Sequence, residues 1–160
     1  MRNSRSTESD PRAAALRLLT GRDRSEAEVQ KKLLQFGFSA EQAEDARNYC
    51  REYGYLDDQR YALDRARMLI RSGCGVGAKV LLDLRRRGIE ESMAQAALAQ
   101  AGEEFDTLAL LQEQLERRFP GFDYRRANDK LKRRVVSYFQ RRGYLLDQIF
   151  SVLHGNGESS

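Results

Sequence analysis

Side chains able to do covalent or metal chemistry are few in this chain. It has two cysteines, Cys50 and Cys74, and a single histidine, His154. One imidazole and two isolated thiols fall short of the four ligands of a structural zinc and of a disulfide framework. Reduced thiols are the expectation, with Cys50 a buried apolar group. Ser72-Gly73-Cys74-Gly75-Val76-Gly77-Ala78-Lys79 carries the glycines and lysine of a phosphate-cradling loop. That loop requires glycine where Ala78 stands, serine or threonine where Val80 stands, and a preceding strand, whereas the segment before it reads as helix. The stretch is therefore an inter-helix turn. Asp57 and Asp58 stand at a helix start, where a carboxylate caps free backbone N–H groups, and no third ligand type lies nearby to complete a metal site. No nucleophile has a base beside it in the pattern. The chain reads as a non-enzyme with no catalytic residues, no cofactor and no metal.

The chemistry that does cluster is cationic. The 160 residues hold 28 Lys and Arg against 24 Asp and Glu, a net charge of +4, so charge is informative only where it is concentrated. Lys31 and Lys32 form one group, Lys79 with Arg85, Arg86 and Arg87 a second, and Lys130, Lys132, Arg133, Arg134, Arg141 and Arg142 a third. With Arg125 and Arg126 included, the stretch from Tyr124 to Arg142 sets eight cations against one acid, Asp129. Two or three cations per helix are explained by the helix dipole and solubility. Eight are not, and they suit phosphates or an acidic groove. These twelve residues of the three groups are the candidate contacts with an anionic partner.

The elements that position them follow one grammar. Val29, Val80 and Val135 lie eight residues before Gly37, Gly88 and Gly143, and Leu33, Leu84 and Phe139 lie four before them. Each pair marks one face of a helix that a left-handed glycine ends. Ser25 with Glu28, and Ser39 with Gln42, are capping boxes. Around these signals the chain reads as all-α, in three tandem three-helix repeats. The first spans 12–55, the second 56–102 and the third 103–154, with a disordered N-terminus over 1–11 and a flexible tail over 155–160. The expected core includes Ala15, Leu18, Leu19 and Phe36; Ala43, Ala46, Tyr49 or Cys50, and Tyr53; Tyr61, Ala62, Ala66 and Leu69; Met93, Ala94, Ala97, Leu98 and Ala101. In the third repeat, Leu108, Leu111 or Gln112, Leu115 and Phe119 precede a helix from about Tyr124 to Arg142. That helix buries Ala127, Leu131, Val135, Tyr138 and Phe139, and a last helix carries Tyr144, Leu145, Ile149, Val152 and Leu153. Units of about 45 residues lie near the lower limit of independent stability and should stack, giving an elongated, curved body.

Three-helix units ending in a glycine turn and a further helix also invite comparison with helix-turn-helix transcriptional regulators. The residues that would meet base edges are Glu41, Glu44 and Asp45, then Glu90 and Glu91, then Asp147. Phosphate repels carboxylates there. The N-terminal residues lack the apolar core of a signal peptide and no segment reaches the roughly 18 apolar residues of a membrane span, so a cytoplasmic, monomeric protein is expected.

Gly54-Tyr55-Leu56-Asp57-Asp58 with Tyr61-Ala62, Arg71-Ser72-Gly73-Cys74-Gly75 leading to Leu84-Arg85-Arg86-Arg87-Gly88-Ile89, and Arg142-Gly143-Tyr144 together resemble the RecX family, regulators of the RecA recombinase. The likeness runs from about Ala14 to Leu153, with Val76 and Ala78 where the family often has an aromatic residue and a proline. It implies three three-helix repeats and binding to the RecA filament on DNA. It also implies inhibition of RecA ATP hydrolysis, strand exchange and coprotease activity, within DNA repair, recombination and the SOS response. Contact with single- and double-stranded DNA is expected to be weak and without sequence preference.

Overall fold

The computed structural model describes residues 9–155; the expectation of mobile ends falls largely on 1–8 and 156–160, outside the described residues. Among the described residues there are nine helices and no strand: α1 (Pro11–Gly21), α2 (Glu26–Gln35), α3 (Ala40–Glu52), α4 (Asp58–Ser72), α5 (Ala78–Arg86), α6 (Glu91–Glu103), α7 (Thr107–Arg118), α8 (Asp129–Arg141) and α9 (Leu146–Gly155). None of them is long and apolar enough to cross a membrane. The all-α reading holds.

The three valine and leucine or phenylalanine pairs that set the repeat are each fully buried, Val29 with Leu33, Val80 with Leu84, and Val135 with Phe139. Each helix closes in the same way. The N–H groups of Phe38, Ile89 and Tyr144 donate to the carbonyls of Leu33, Leu84 and Phe139 at 3.2, 3.0 and 3.2 Å, while Gly37, Gly88 and Gly143 take positive φ. The N–H groups of those glycines donate in turn to the carbonyls of Leu34, Arg85 and Gln140, each at 3.0 Å, and this double closure satisfies carbonyls that a helix end otherwise leaves without partners.

The chain packs as two compact units, one of residues up to Ala62 with Leu84–Ala94, the other of Leu63–Asp83 with the residues from Gln95 onward. In the first, α1, α2 and α3 pack on one another over a core of Ala14, Ala15, Val29, Leu33, Ala43, Ala46, Cys50 and Leu56. Both expected capping boxes are present. The end of α5 belongs to this unit and is held against the start of α2. Ser25 Oγ donates to the Arg87 carbonyl at 2.5 Å, and a Cβ on Gly88 would stand 2.2 Å from that of Ala27. Asp57 accepts from the Arg60 N–H at 3.1 Å and so caps α4, whereas Asp58 accepts from the Glu26 N–H at 2.8 Å and serves α2.

In the second unit α7 and α8 each pack on α9, around Leu111, Leu115, Val135, Phe139, Tyr144, Ile149, Val152 and Leu153. Phe139 meets Tyr144 edge-on at 5.7 Å and Phe119 at 6.4 Å. Several apolar side chains stand further out than their spacing suggested. Tyr53 and Leu145 are 64% and 63% exposed and Leu108 is exposed. Leu18, Leu19, Met93, Leu98, Leu131 and Tyr138 are only half-buried. Of the open pairs, Cys50 rather than Tyr49, and Leu111 rather than Gln112, fill the core.

Candidate anion-binding surface

The expected basic helix is shorter than its composition suggests. Asn128 accepts from the Leu131 N–H at 2.8 Å and starts α8 at Asp129. Arg125 and Arg126 therefore lie in the preceding turn, where Asp123 accepts from the Arg125 N–H and stands 3.7 Å from the Arg126 guanidinium. Because Val135 and Phe139 fix the inner face, the helical period turns Lys130, Arg134 and Arg141 to the opposite side with Arg133 beside them. All four are exposed. Among the described residues, none of Lys130, Arg133 and Arg134 has a carboxylate within ion-pair distance.

The flanking cations are held by aromatic rings. The Lys132 ammonium sits 4.4 Å from the centre of the Tyr124 ring. Arg142 and Arg118 lie 3.8 and 5.6 Å from that of Tyr138, and Arg118 Nε also donates to the Tyr138 hydroxyl at 3.1 Å. Such contacts fix orientation while leaving the charge available. Lys79 joins this group in space although the sequence places it with Arg85, Arg86 and Arg87. Its ammonium donates to the Arg141 carbonyl at 2.9 Å and the Val76 N–H donates to the Arg142 carbonyl at 2.8 Å. The segment from Val76 to Lys79 thus fastens the C-terminal end of α8, where a cation complements the helix dipole.

Elsewhere in the same unit several cations are matched. On α4, Arg65 holds Asp83 at 2.9 Å and Arg67 holds Glu104 at 2.6 Å. The described residues of this unit carry 14 cations against 10 acids, and those of the other 12 against 12, so the positive excess belongs to the unit that contains α8.

In the balanced unit, Lys31, Lys32 and Arg86 are exposed, but their neighbours are committed. Arg85 grips Glu91 with two hydrogen bonds of 2.5 Å. Arg87 is half-buried, 3.8 Å from Glu28 and donating to the Tyr61 hydroxyl at 3.2 Å. Burial pushes the Glu28 carboxyl up, yet the Tyr61 hydroxyl, the Ser25 N–H and the Arg87 and Arg22 charges outweigh it and leave its pKa below the ordinary value. The candidate residues thus sort into four sets: exposed cations on α8, Lys132 and Arg142 held on tyrosine rings, exposed cations on α2 and at Arg86, and cations already engaged at Lys79, Arg85 and Arg87.

Two features went unread in the sequence. Arg118 closes α7 yet stacks with Arg142 on Tyr138. Beside α8, Phe119, Phe122, Ala127 and Leu131 line an open cleft of about 440 Å³. Only the bracketing of a Pro-Gly turn by two phenylalanines hinted at the latter.

The chain matches family models described as the first three-helix domain of RecX over residues 12–50 and the third over 104–153. It is 42% identical to the regulatory protein RecX of Syntrophotalea carbinolica over 89% of this chain and 95% of that one. With the regulatory protein RecX of Trichlorobacter lovleyi it shares 40% identity over 88% and 92%. The crystal structure of RecX from Lactobacillus salivarius superimposes with a TM-score of 0.74 at 21% identity, covering 92% and 94% of the two chains.

Proposed function

The chain belongs to the RecX family, and on that premise we propose that it binds the RecA filament assembled on DNA and restrains ATP hydrolysis, strand exchange and coprotease activity. The observation that carries the reading to particular residues is the exposed face of α8, where Lys130, Arg133 and Arg134 have no carboxylate at hand and Arg141 donates only to the Ser137 carbonyl at 3.2 Å. An anion reaching these cations displaces only water and counterions, so attraction is gained without breaking an internal ion pair. The exposed Lys31, Lys32 and Arg86 form a lesser second contact. Lys132 and Arg142 contribute charge from fixed positions on their tyrosines, and Lys79, Arg85 and Arg87 support the fold. Glu41 and Glu44 at the start of α3 turn carboxylates outward, which counts against an operator reader.

The test is Lys130→Glu, Arg133→Glu and Arg134→Glu together, in an assay of RecA ATP hydrolysis on single-stranded DNA at moderate salt. The side chains are exposed, so the fold should persist while inhibition weakens at least about tenfold. Glu41→Lys with Glu44→Lys is the control. Full inhibition by the α8 variant with loss in the control would move the contact surface to α3 and refute the reading.

A further inference from the structure

We propose that the cleft between the end of α7 and the start of α8 seats an apolar side chain from an acidic peptide segment. Its floor is Phe119, Phe122, Ala127 and Leu131, all half-buried, and its volume of about 440 Å³ takes one aromatic or branched aliphatic side chain with adjoining backbone. Partly exposed aromatic rings gathered at a single concave site are the usual anchor point of a recognised peptide. Charge identifies the occupant. Arg126 lines the cleft and its side chain is 90% exposed; Lys130 and Arg134 precede and follow Leu131 by one residue and three, both exposed. The single acid in the lining, Asp123, is engaged by the Arg125 N–H at 3.0 Å and by Arg126 at 3.7 Å. The lining thus holds one cation and one acid, and the positive excess around the apolar floor comes from exposed Arg125 and Lys130, each next in the chain to a lining residue, and Arg134 further along α8.

A nucleobase fits less well. Its edge carries several donors and acceptors, and burying them against phenylalanine, alanine and leucine leaves them without partners, at a cost an apolar side chain does not incur. The inference goes beyond the filament reading and stands or falls apart from it.

The probe is a fluorescein-labelled twelve-residue peptide of Asp and Gly with one central Phe, titrated with the full chain and followed by anisotropy. Matched peptides carry Ser for Phe, or Asn for Asp. Saturable binding that needs both Phe and Asp, and that falls about tenfold or more in Phe122→Ala and in Arg126→Glu at unchanged helicity, is the expected result. Equal binding of either matched peptide, or no binding, overturns the proposal. So does displacement by oligothymidylate whose own affinity depends on Phe122, which would make the cleft a base-stacking platform. Should Phe122→Ala fail to fold, the Arg126→Glu variant decides, since that side chain is largely in solvent. RecA inhibition is not a readout, so failure here leaves the filament reading in place.

Discussion

The attachment of Val76–Lys79 to the end of α8 is most directly tested at Gly143. This glycine has φ +98, and a Cβ there would stand 2.0 Å from the Val76 carbonyl oxygen and 3.1 Å from Lys79 Cβ. Two effects follow in Gly143→Ala. A left-handed alanine costs about 1–2 kcal/mol. The segment must also retreat, releasing the Val76 N–H and the Lys79 ammonium from the carbonyls they hold, at about 1 kcal/mol for each hydrogen bond. Together these come to about 3–4 kcal/mol, a large part of the total stability of an ordinary domain. Gly121 separates the two effects, because it has φ +73 with nothing within 4 Å of a Cβ. Gly121→Ala should therefore carry only the conformational cost. Urea denaturation followed by circular dichroism gives both values, and the difference between them, about 2 kcal/mol, measures the fastening of the segment. Equal destabilisation by the two variants would refute the argument, since the contact with Val76 would then contribute nothing.

Leu84→Ala removes a fully buried side chain from the repeat pattern of α5 and should cost about 2–5 kcal/mol; an unchanged urea midpoint would mean that the buried face is misplaced. Glu28 gives a pH signature. Its folded pKa lies below the ordinary value, so its contribution is present above that ordinary value and lost as pH falls through the lowered one. Glu28→Gln should therefore narrow the stability gap between neutral and acid pH, and urea midpoints with the same pH dependence in both proteins would remove the Tyr61–Glu28–Arg87 network from the account.

What could be read from the sequence was local, and what could not was the work of partners distant along the chain. The spacing of Val80 and Leu84 before Gly88 was enough to place helix, buried face and closure, because all three depend on neighbours within one or two turns. The choice between Asp57 and Asp58 as caps was beyond it, since Asp58 serves an N–H 32 residues away. The start of α8 was misplaced for a related reason. Arg125, Arg126 and Ala127 are good helix formers, and their propensity hid the Asp123 turn and the Asn128 cap that begin the helix. Tyr53 and Leu145 fit an apolar stripe but fall at helix ends, where the period of the inner face no longer applies. For the candidate surface, the charge run was legible at once. Its division into engaged and free cations was not, because Glu91, Glu28 and Tyr61 reach Arg85 and Arg87 only in the folded chain.

That division bears on why one helix of three equivalents should carry the contact. Helices α2, α5 and α8 share a buried pair and a glycine closure, so the fold imposes the same inner face on each and leaves the outer face to vary. On α5 and just beyond it, two of the three arginines are committed, Arg85 to Glu91 through a two-pronged pair and Arg87 to Glu28 and Tyr61, and only Arg86 is left exposed between them. A phosphate or carboxylate arriving there must compete with a carboxylate already in place, and the exchange of one charge-assisted pair for another yields little. On α8, Lys130, Arg133 and Arg134 have no such competitor among the described residues. Each new contact there is a net gain in attraction, reduced only by salt screening and by the ordering of an exposed side chain. Removing the competitor should then recruit α5: Glu91→Gln frees Arg85, and it should strengthen the salt-sensitive part of anion binding without altering the buried faces.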